Sequence, residues 1–387
     1  MREIEQDFLL NPEIIFLNHG SFGACPKPIF EDYQEWQLRL EREPVQFITK
    51  QNAIALKAAR EALGAYLSCA AADVVMTPNP SYAMNIIAKS FVLEPGDEIL
   101  TTDLEYGAMN RTWDYYCRKA GATFRRQKIN LPVLSKEGII EDFFAGLTPN
   151  TKAIFISQIT SMTALILPVA EICARAKSLG LITIVDGAHA PGHVSVDLST
   201  LQADIYTGAC HKWMLTPKGS SFLYVKKEMQ AQYDPLVISW GYESDNPGPS
   251  QFIDYHETQG TRDMAAFFTV PKAIAYLQEN NWENRAAACR ELILRNYPIV
   301  CDLLGTKPVC PVHPDFLGQM CSIPVNTDQP VALKELLYSK YKIEIPVMVD
   351  RKYTYIRISM QAYNSQADID ALIAALTEIK AETEFIR

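Results

Sequence analysis

Several kinds of segment that would assign the 387-residue chain to a membrane or to a nucleic acid are missing. No apolar run reaches the length of about 20 residues that a transmembrane helix needs. The start, MREIEQDFLLNPEI, is acidic and lacks the basic and apolar regions of a signal peptide. The chain has no Lys/Arg block, and 36 basic against 45 acidic residues give a net charge of −9, which disfavours a nucleic-acid surface. We therefore predict a cytoplasmic protein with no membrane and no nucleic-acid partner.

Paired cysteine motifs are also missing, although the chain contains nine cysteines. None of them forms a C-x-x-C pair, and several lie in apolar, helix-like contexts. This distribution is typical of buried free thiols in a reducing compartment, and it favours neither a disulfide framework nor a zinc site. We expect no metal centre.

Helix and strand patterns alternate over the first two-thirds of the chain. Short apolar runs predict strands at 74–76, 98–101, 123–129, 153–157, 182–185, 204–207 and 221–225, with amphipathic helices between most of them. This alternation predicts an α/β fold with a mostly parallel sheet sandwiched by helices. In such sheets ligands bind beyond the carboxyl ends of the strands.

The pattern changes after about Ala265. Helices are predicted at 265–279, 282–304, 331–341 and 367–380, with strands at 320–324 and 353–359. We interpret this part as a smaller α+β domain of residues 263–387 together with 1–19. Residues 20–262 form the large domain, and its last part, 239–262, reads as a loop-rich boundary of the kind that is often functional.

The most informative segment runs from Ile184 to Lys212. Asp186 ends an apolar strand pattern, and Lys212 follows the next strand after a turn. An acid and a lysine at the carboxyl ends of neighbouring strands suit pyridoxal 5′-phosphate, because the lysine amine condenses with the cofactor aldehyde and the acid keeps the pyridine nitrogen protonated. The alternative is a solvated acid and a surface lysine.

Further segments extend this pattern over nearly the whole chain: FLNHGSFGACP, LEYGAMNRTW, VDGAHA, ACHKW, QGTRDMAAF and YIRIS. Together they resemble the class V aminotransferases, a group of fold-type I pyridoxal-phosphate enzymes, and within that group the isopenicillin N epimerase-like proteins. The resemblance implies the fold-type I architecture, pyridoxal 5′-phosphate as cofactor and an amino-acid-type substrate.

The resemblance also implies roles for residues around the cofactor ring. Lys212 would hold the cofactor and act as the catalytic base, and Asp186 would pair with the pyridine nitrogen. His189 matches a family position, often Gln, that donates to the phenolic oxygen. His211 would contact the phosphate or brace the lysine. Tyr106 would stack on the pyridine face and is a candidate second acid.

The phosphate of the cofactor needs amides and hydroxyls. Asn79-Pro80-Ser81 precedes a helical pattern, which suits an anion site at a helix N-terminus; the alternative is an ordinary Ser or Asn helix cap, and both can be true together. Ala209 departs from the family, where Ser or Asn faces the phosphate, and Thr207 is a candidate replacement. Thr261 resembles a residue that reaches the phosphate of the neighbouring subunit, which implies a homodimer with shared active sites.

Substrate binding is implied at two other segments. Arg357 matches the arginine that holds the substrate α-carboxylate, a task suited to a planar guanidinium; a surface salt bridge is the alternative. Asn18, His19 and Gly20 belong to the segment that lines the substrate pocket in relatives, and Ser21 is a weaker candidate.

The reaction itself is less determined. Cysteine desulfurases carry a nucleophilic Cys on a loop shortly before the arginine that binds the carboxylate, but residues 343–357 contain no Cys. This absence disfavours persulfide-forming desulfuration by the usual route. Epimerisation, β-elimination and transamination share one first step, removal of the α-proton. The leading hypothesis is an isopenicillin N epimerase-like enzyme that acts at the α-carbon, and a C–S lyase on cysteine derivatives is the alternative. A non-catalytic relative and a Cys210-His211 hydrolase are weaker readings.

Overall fold

The computed structural model describes residues 4–350 and 353–387. Its strands are β1 (Ile15–Phe16), β2 (Val74–Thr77), β3 (Glu98–Thr102), β4 (Thr123–Gln127), β5 (Thr151–Ser157), β6 (Ile182–Gly187), β7 (Ile205–Ala209), β8 (Ser221–Val225), β9 (Met320–Val325), β10 (Ile343–Glu344), β11 (Val347–Asp350) and β12 (Tyr353–Ser359).

The α-helices are α1 (His19–Phe22), α2 (Lys27–Arg42), α3 (Pro44–Gln46), α4 (Asn52–Leu67), α5 (Pro80–Ser90), α6 (Gly107–Ala120), α7 (Lys136–Phe144), α8 (Val169–Ser178), α9 (Leu198–Leu201), α10 (Gln251–Glu257), α11 (Ala265–Phe268), α12 (Val270–Glu279), α13 (Trp282–Leu303), α14 (Pro330–Ser339) and α15 (Gln366–Glu382). A π-helical turn, Phe47–Gln51, leads into α4. None of the helices in the described ranges has the length and apolar character needed to cross a bilayer.

The large sheet has seven strands in the order β2-β8-β7-β6-β5-β3-β4. Five neighbouring strands, β7, β6, β5, β3 and β4, are mutually parallel, and β8 is antiparallel to both of its neighbours, β2 and β7. The prediction of a mostly parallel sheet is therefore confirmed.

Hydrophobic side chains fill both faces of this sheet. On one face β3 and β6 pack with α5 and α6 through a cluster that contains Ile86 and Trp113. On the other face a larger cluster includes Leu63 of α4 and Ile172 of α8. Because both faces are covered, strands such as β6 and β8 are buried at nearly every position instead of alternating between buried and exposed.

The parallel pairing brings several chain segments to one edge of the sheet. In the register of β6 and β7, Asp186 lies opposite Thr207, so the turn that carries Lys212 begins one strand away from the Asp186 carboxylate. β3, β5 and β2 lead to Tyr106, Ser157 and the first turn of α5 at this same edge. These strand ends form the floor of the site described below.

The second half of the chain builds a smaller antiparallel sheet in the order β11-β12-β9. The N-terminal segment joins it, because β1 pairs with β10 and Asn18 bridges Ser359 at the end of β12. The helices α11 and α12, however, pack on α2 and α4 of the large unit. The domain limits at 19/20 and 262/263 stay a prediction.

Three details differ from the sequence-based expectation. The region 239–262 is not only loop, because α10 lies within it. The single helix expected at 265–279 is two helices, since Pro271 has no N–H to continue α11 and stands instead in the first turn of α12. The two-residue strands β1 and β10 were not expected, because so short a run gives no periodicity.

A buried ion pair ties α10 to the large unit. The Arg60 guanidinium of α4 donates to Glu257, which also accepts a hydrogen bond from the amide of Met76 in β2 at 3.2 Å. Burial raises the pKa of the Glu257 carboxyl to about 7, against the lowering effect of Arg60. Arg60 makes the largest of the contributions that favour the charged form of this carboxylate, followed by the Met76 amide and the charge of Arg262.

We expect Arg60→Met to lower the free energy of unfolding by about 3–5 kcal/mol at pH 8, because the variant leaves a buried carboxylate without a cation. The loss of stability should be smaller towards pH 5. The raised pKa of Glu257 in the folded protein penalises its charged form, and this penalty disappears as the pH falls towards the pKa of Glu257 in the unfolded chain. Urea denaturation at both pH values measures the effect.

The double variant Arg60→Met/Glu257→Gln is the control, because the glutamine oxygen still accepts from Met76 while no charge is left. It should recover most of the lost stability at pH 8. An equal loss at both pH values in the single variant, or no recovery in the double variant, would contradict the explanation.

Candidate active site

A cavity of about 480 Å³ opens at the carboxyl edge of the large sheet. Its wall contains eight of the residues that the sequence nominated for cofactor binding or catalysis. These are Asn79, Pro80, Ser81, Tyr106, Asp186, His189, His211 and Lys212. Residues from four separate strand ends and one helix start thus converge on one space.

Lys212 and Asp186 face this cavity with pKa values displaced towards each other. Burial, helped by the Arg357 charge, lowers the pKa of the Lys212 amine to about 7. Burial raises the pKa of the Asp186 carboxyl, which accepts a hydrogen bond from the Ala188 amide at 2.9 Å. A large fraction of the lysine is consequently an uncharged, nucleophilic amine near neutral pH.

His189 is wedged between the lysine and a tryptophan. Its Nε2 lies 3.2 Å from Lys212 Nζ, and its Nδ1 accepts a hydrogen bond from the indole N–H of Trp213 at 3.3 Å. Burial, together with the Lys212 charge, lowers the pKa of His189 well below its usual value. The imidazole is neutral, so it suits an N–H donor role and is a poor cation.

Tyr106 stands at the mouth of the cavity as the N-cap residue of α6, with 47% of its surface exposed. Behind it, Glu105 is buried and accepts hydrogen bonds from the Ser157 amide and hydroxyl and from the Thr102 hydroxyl. Burial raises the pKa of Glu105 to about 7. Sequence reasoning passed over Glu105, although an acid three residues after the end of the buried strand β3 was a visible signal.

The start of α5 offers an anion site beside the cavity. Asn79 caps this helix by accepting from the Tyr82 amide at 2.8 Å. Ser81, half-buried, makes no side-chain hydrogen bond with any described residue, so its hydroxyl is available to a ligand. A free hydroxyl at a helix N-terminus suits a phosphate.

Two other phosphate-site expectations meet different outcomes. His211 lies in the cavity wall, where its Nδ1–H donates to the Ser220 carbonyl at 2.8 Å. The hydroxyl of Thr207, by contrast, is fully buried and donates to the Phe222 carbonyl at 2.8 Å. The idea that Thr207 replaces the contact missing at Ala209 is therefore wrong, because that hydroxyl is engaged inside the sheet.

Arg357 is a buried cation whose partners are neutral. Its side chain reaches the Ser161 carbonyl at 2.7 Å and the Ser21 hydroxyl at 3.0 Å, and its Nε has no hydrogen-bond partner among the described residues. No acidic residue of the described ranges lies within salt-bridge distance, and burial lowers its pKa to about 10. The alternative of a surface salt bridge is therefore wrong, because the residue is only 2% exposed. Such a guanidinium lacks an anion.

The residues around Asn18 support the cavity from behind. Asn18 accepts a hydrogen bond from Ser21 at 2.5 Å, and His19 Nε2 donates to the Lys212 carbonyl at 3.1 Å. A Cβ on Gly20 would lie 2.5 Å from Met320 Sδ, so this position has room for glycine alone. Asn18, His19 and Gly20 lie behind the cavity wall, which Ser21 and Phe22 form.

Thr261 is exposed and lies outside the cavity of its own chain. No residue of that cavity is close to it in the sequence. Gln259, two positions before it, accepts a hydrogen bond from the Tyr82 hydroxyl of α5 at 2.6 Å, and the expected contact of Thr261 with the cofactor of a neighbouring subunit stays a prediction.

The donor set fits pyridoxal 5′-phosphate. A lysine with a lowered pKa, a buried acid, a neutral histidine and a helix N-terminus surround one cavity, and the Nε of Arg357, which has no partner among the described residues, lies beyond the cavity wall. These features, on a mostly parallel sheet covered by helices, define the fold-type I class of pyridoxal-phosphate-dependent enzymes.

The comparisons with known proteins agree. The family model "Aminotransferase class-V" matches residues 27–372, and the chain belongs to this family. It is 32% identical to an isopenicillin N epimerase of Amycolatopsis lactamdurans, with 96% of each chain covered. It is 27% identical to an L-cysteine desulfhydrase of Arabidopsis thaliana, covering 94% of this chain and 87% of the relative.

Among solved structures, the fold is similar to that of a cysteine desulfurase from Thermococcus onnurineus NA1. The TM-score is 0.83 at 20% identity, with 98% of each chain covered. The protein is thus a pyridoxal-phosphate-dependent enzyme of the class V aminotransferase family.

Proposed function

We propose that this enzyme exchanges the α-proton of an amino-acid-type substrate and inverts its α-carbon, as an isopenicillin N epimerase-like enzyme. The observation that carries the proposal is the buried Arg357 guanidinium, which has an unpartnered Nε and no acidic neighbour in the described ranges. The α-carboxylate of an amino acid supplies the missing anion.

Binding and orientation follow from the residues around that guanidinium. A carboxylate on Arg357 would lie close to the Ser21 hydroxyl, which already bonds to the guanidinium. Holding the carboxylate in a fixed plane orients the α-carbon bonds relative to the cavity, and this orientation selects the bond that breaks. The Arg357 charge contributes to the lowered pKa of the Lys212 amine, so the two side chains lie near each other.

The proton transfers fall to Lys212 and a second acid. When bound, pyridoxal phosphate supplies an electron-withdrawing ring that stabilises negative charge at the substrate α-carbon. We assign pairing with its ring nitrogen to Asp186, donation to its phenolic oxygen to His189, and phosphate contacts to Asn79, Ser81 and His211. The uncharged Lys212 amine takes the α-proton.

Inversion requires a proton from the opposite side of the α-carbon. Tyr106 is the candidate donor, because it lies at the open side of the cavity and its hydroxyl is near enough to influence the Arg357 charge. An aromatic ring there also stacks on a planar ligand. A water molecule delivered through the mouth would serve the same purpose.

A C–S lyase acting on cysteine derivatives is the second candidate. It is favoured by the full-length similarity to an L-cysteine desulfhydrase. In this reaction, too, Lys212 first removes the α-proton. The substrate then loses its β-sulfur group instead of regaining a proton at the α-carbon.

The experiment is an incubation of the holoenzyme in deuterium oxide. The panel contains isopenicillin N, L-amino acids, cystine, S-substituted cysteines and cysteine sulfoxides. Loss of the α-proton signal by NMR, with the inverted isomer found by chiral chromatography, supports the epimerase. Pyruvate with ammonia identifies the lyase instead, and amino transfer to a second keto acid identifies a transaminase. Absence of α-exchange with every compound would sink both proposals.

We further assign the protein to the cytoplasm and to a homodimer with shared active sites. The nine free cysteines support a reducing compartment. Exposed apolar side chains support a second copy: Trp240 is 84% exposed, next to Val237 and Ile238, and Phe22 is exposed at the cavity rim. Thr261, exposed and 21 positions after Trp240, would complete the partner's phosphate site.

Subunit mixing tests this shared site. Lys212→Ala and Thr261→Glu homodimers should each be inactive, the second because a carboxylate repels the phosphate. After mixing under conditions that exchange subunits, heterodimers carry one intact site, and activity should return to about a quarter of the wild-type value. The control is a mixture of the Lys212→Ala and Asp186→Ala variants. Both residues belong to the active site of their own chain, so neither site of this heterodimer is intact and no activity should return.

A further inference from the structure

Trp213 follows the site lysine and is completely buried between two histidines. Its ring centroid lies 4.0 Å from that of His193, in a stacked arrangement, and 4.8 Å from that of His19. The indole N–H points at His189 Nδ1, 3.3 Å away. A buried indole N–H needs an acceptor, and here the acceptor is a ring nitrogen of a histidine in the cavity wall.

The chemistry of this contact fixes the proton on the His189 ring. An indole nitrogen only donates hydrogen bonds, so Nδ1 must be the accepting, unprotonated nitrogen. A neutral imidazole carries one proton, which therefore resides on Nε2. Nε2 lies 3.2 Å from Lys212 Nζ and faces the cavity.

Without this contact, the lysine could impose the opposite arrangement. An ammonium group has three donors and would donate to Nε2, which would drive the proton to Nδ1. With Nε2 protonated, Lys212 can only accept, and this requires its uncharged form. The Arg357 charge also lowers the pKa of His189 and therefore opposes a second proton on the ring.

The tryptophan is itself held in place by a second histidine. His193 Nδ1 donates to the His189 carbonyl at 3.0 Å, and its Nε2 accepts from the Gln319 amide at 2.5 Å. The latter residue directly precedes β9 of the small sheet. Burial lowers the pKa of His193 to about 3, so this stack stays uncharged. The orientation of the indole is thereby fixed from both units of the chain.

We propose that Trp213 is a positioning residue whose indole N–H keeps the His189 proton on Nε2, so that His189 presents only a donor to a ligand oxygen beside Lys212. The ligand oxygen is the cofactor's phenolic oxygen, and this part rests on the contact proposed above for His189. The position of the proton on the ring does not depend on that contact.

The first test is nitrogen NMR of the full-chain apoenzyme labelled with ¹⁵N-histidine. The chain has six histidines, and a His189→Gln variant assigns the signals of interest. We expect His189 to show an unprotonated Nδ1 and a protonated Nε2 from pH 7.5 to 8.5, above the Lys212 pKa of about 7. A proton on Nδ1, or a doubly protonated ring in this range, would overturn the proposal. This readout uses neither cofactor nor activity.

The second test is the pH titration of the holoenzyme's visible absorbance. Trp213→Phe keeps the stacked ring and removes the N–H, and we expect the titration midpoint to rise by about one pH unit, because a donor that favours the anionic phenolic oxygen is weakened. Trp282→Phe is the matched control, since Trp282 is another buried tryptophan, and its indole nitrogen has no partner within residues 4–350 and 353–387. Its midpoint should stay at the wild-type value.

A double-variant cycle separates positioning from general packing. A glutamine amide cannot shift its proton, so in a His189→Gln background Trp213→Phe should move the midpoint by less than about 0.3 pH units. An equal shift in both backgrounds overturns the positioning role. If NMR finds the proton on Nε2 but Trp213→Phe shifts the titration midpoint in neither background, the result shows instead that His189 does not contact the cofactor. If Trp213→Phe fails to fold, the wild-type NMR result decides.

Discussion

Replacing Lys212 with alanine should abolish α-proton exchange and covalent attachment of the cofactor together. We expect exchange to fall by about 10⁴-fold or more, because the variant loses the general base, and this effect alone reaches about 10⁴-fold in other enzymes. The two losses are coupled because one amine, with a pKa lowered to about 7 by burial, serves both purposes.

Borohydride reduction followed by proteolysis and mass spectrometry measures the attachment. In the wild-type holoenzyme the cofactor mass should remain on the peptide that contains Lys212, whereas in the variant the cofactor should be removed by dialysis. Lys57→Ala, at a position that is 69% exposed, is the control and should leave both properties unchanged. A variant that still retains reduced cofactor on a peptide would contradict the assignment of Lys212.

Replacing Arg357 with methionine should weaken catalysis and stabilise the apoenzyme in the same molecule. We expect kcat/KM to fall by about 100-fold or more, because a buried charge pair with the substrate carboxylate is lost. The apoenzyme should gain about 1–3 kcal/mol of unfolding free energy, because a buried cation that lacks an anion is removed. Opposite signs of the two effects are what distinguish a substrate-binding arginine from a structural one.

Kinetics and thermal denaturation of the apoenzyme measure the two effects. Acetate or propionate should raise the melting temperature of the wild type by occupying the anion site, and it should have no effect on Arg357→Met. Arg42→Met, at a side chain that is 67% exposed, controls for the general loss of positive charge. An apoenzyme destabilised by Arg357→Met would show instead that the guanidinium serves the fold.

The order of strands and helices was largely predictable because it depends on local patterns. The apolar runs that end at Asp186 and Ala209 are the buried strands β6 and β7, and their parallel pairing brings Asp186 and Lys212 to one edge. Where local pattern was weak, the expectation was less accurate, as with α10 inside a region rich in turn residues.

The partners of individual side chains could not be predicted in this way. Thr207 was a reasonable phosphate ligand by position, but its hydroxyl reaches the Phe222 carbonyl, because β8 runs antiparallel beside it. Nothing local indicated that Arg357 is buried without an acid, or that Trp213 donates to His189, since these contacts join residues from distant parts of the chain.

The Arg357 guanidinium belongs to β12 of the small sheet, yet it donates to Ser161, which follows β5 of the large sheet. A carboxylate bound there would lie at the seam between the two sheets, where the Arg357 side chain meets Ser161, and would hold the two sheets together. Molecules as simple as a short fatty acid should therefore make the whole chain melt as a single cooperative body, and hydrogen exchange along the seam should slow without any contact to the lysine.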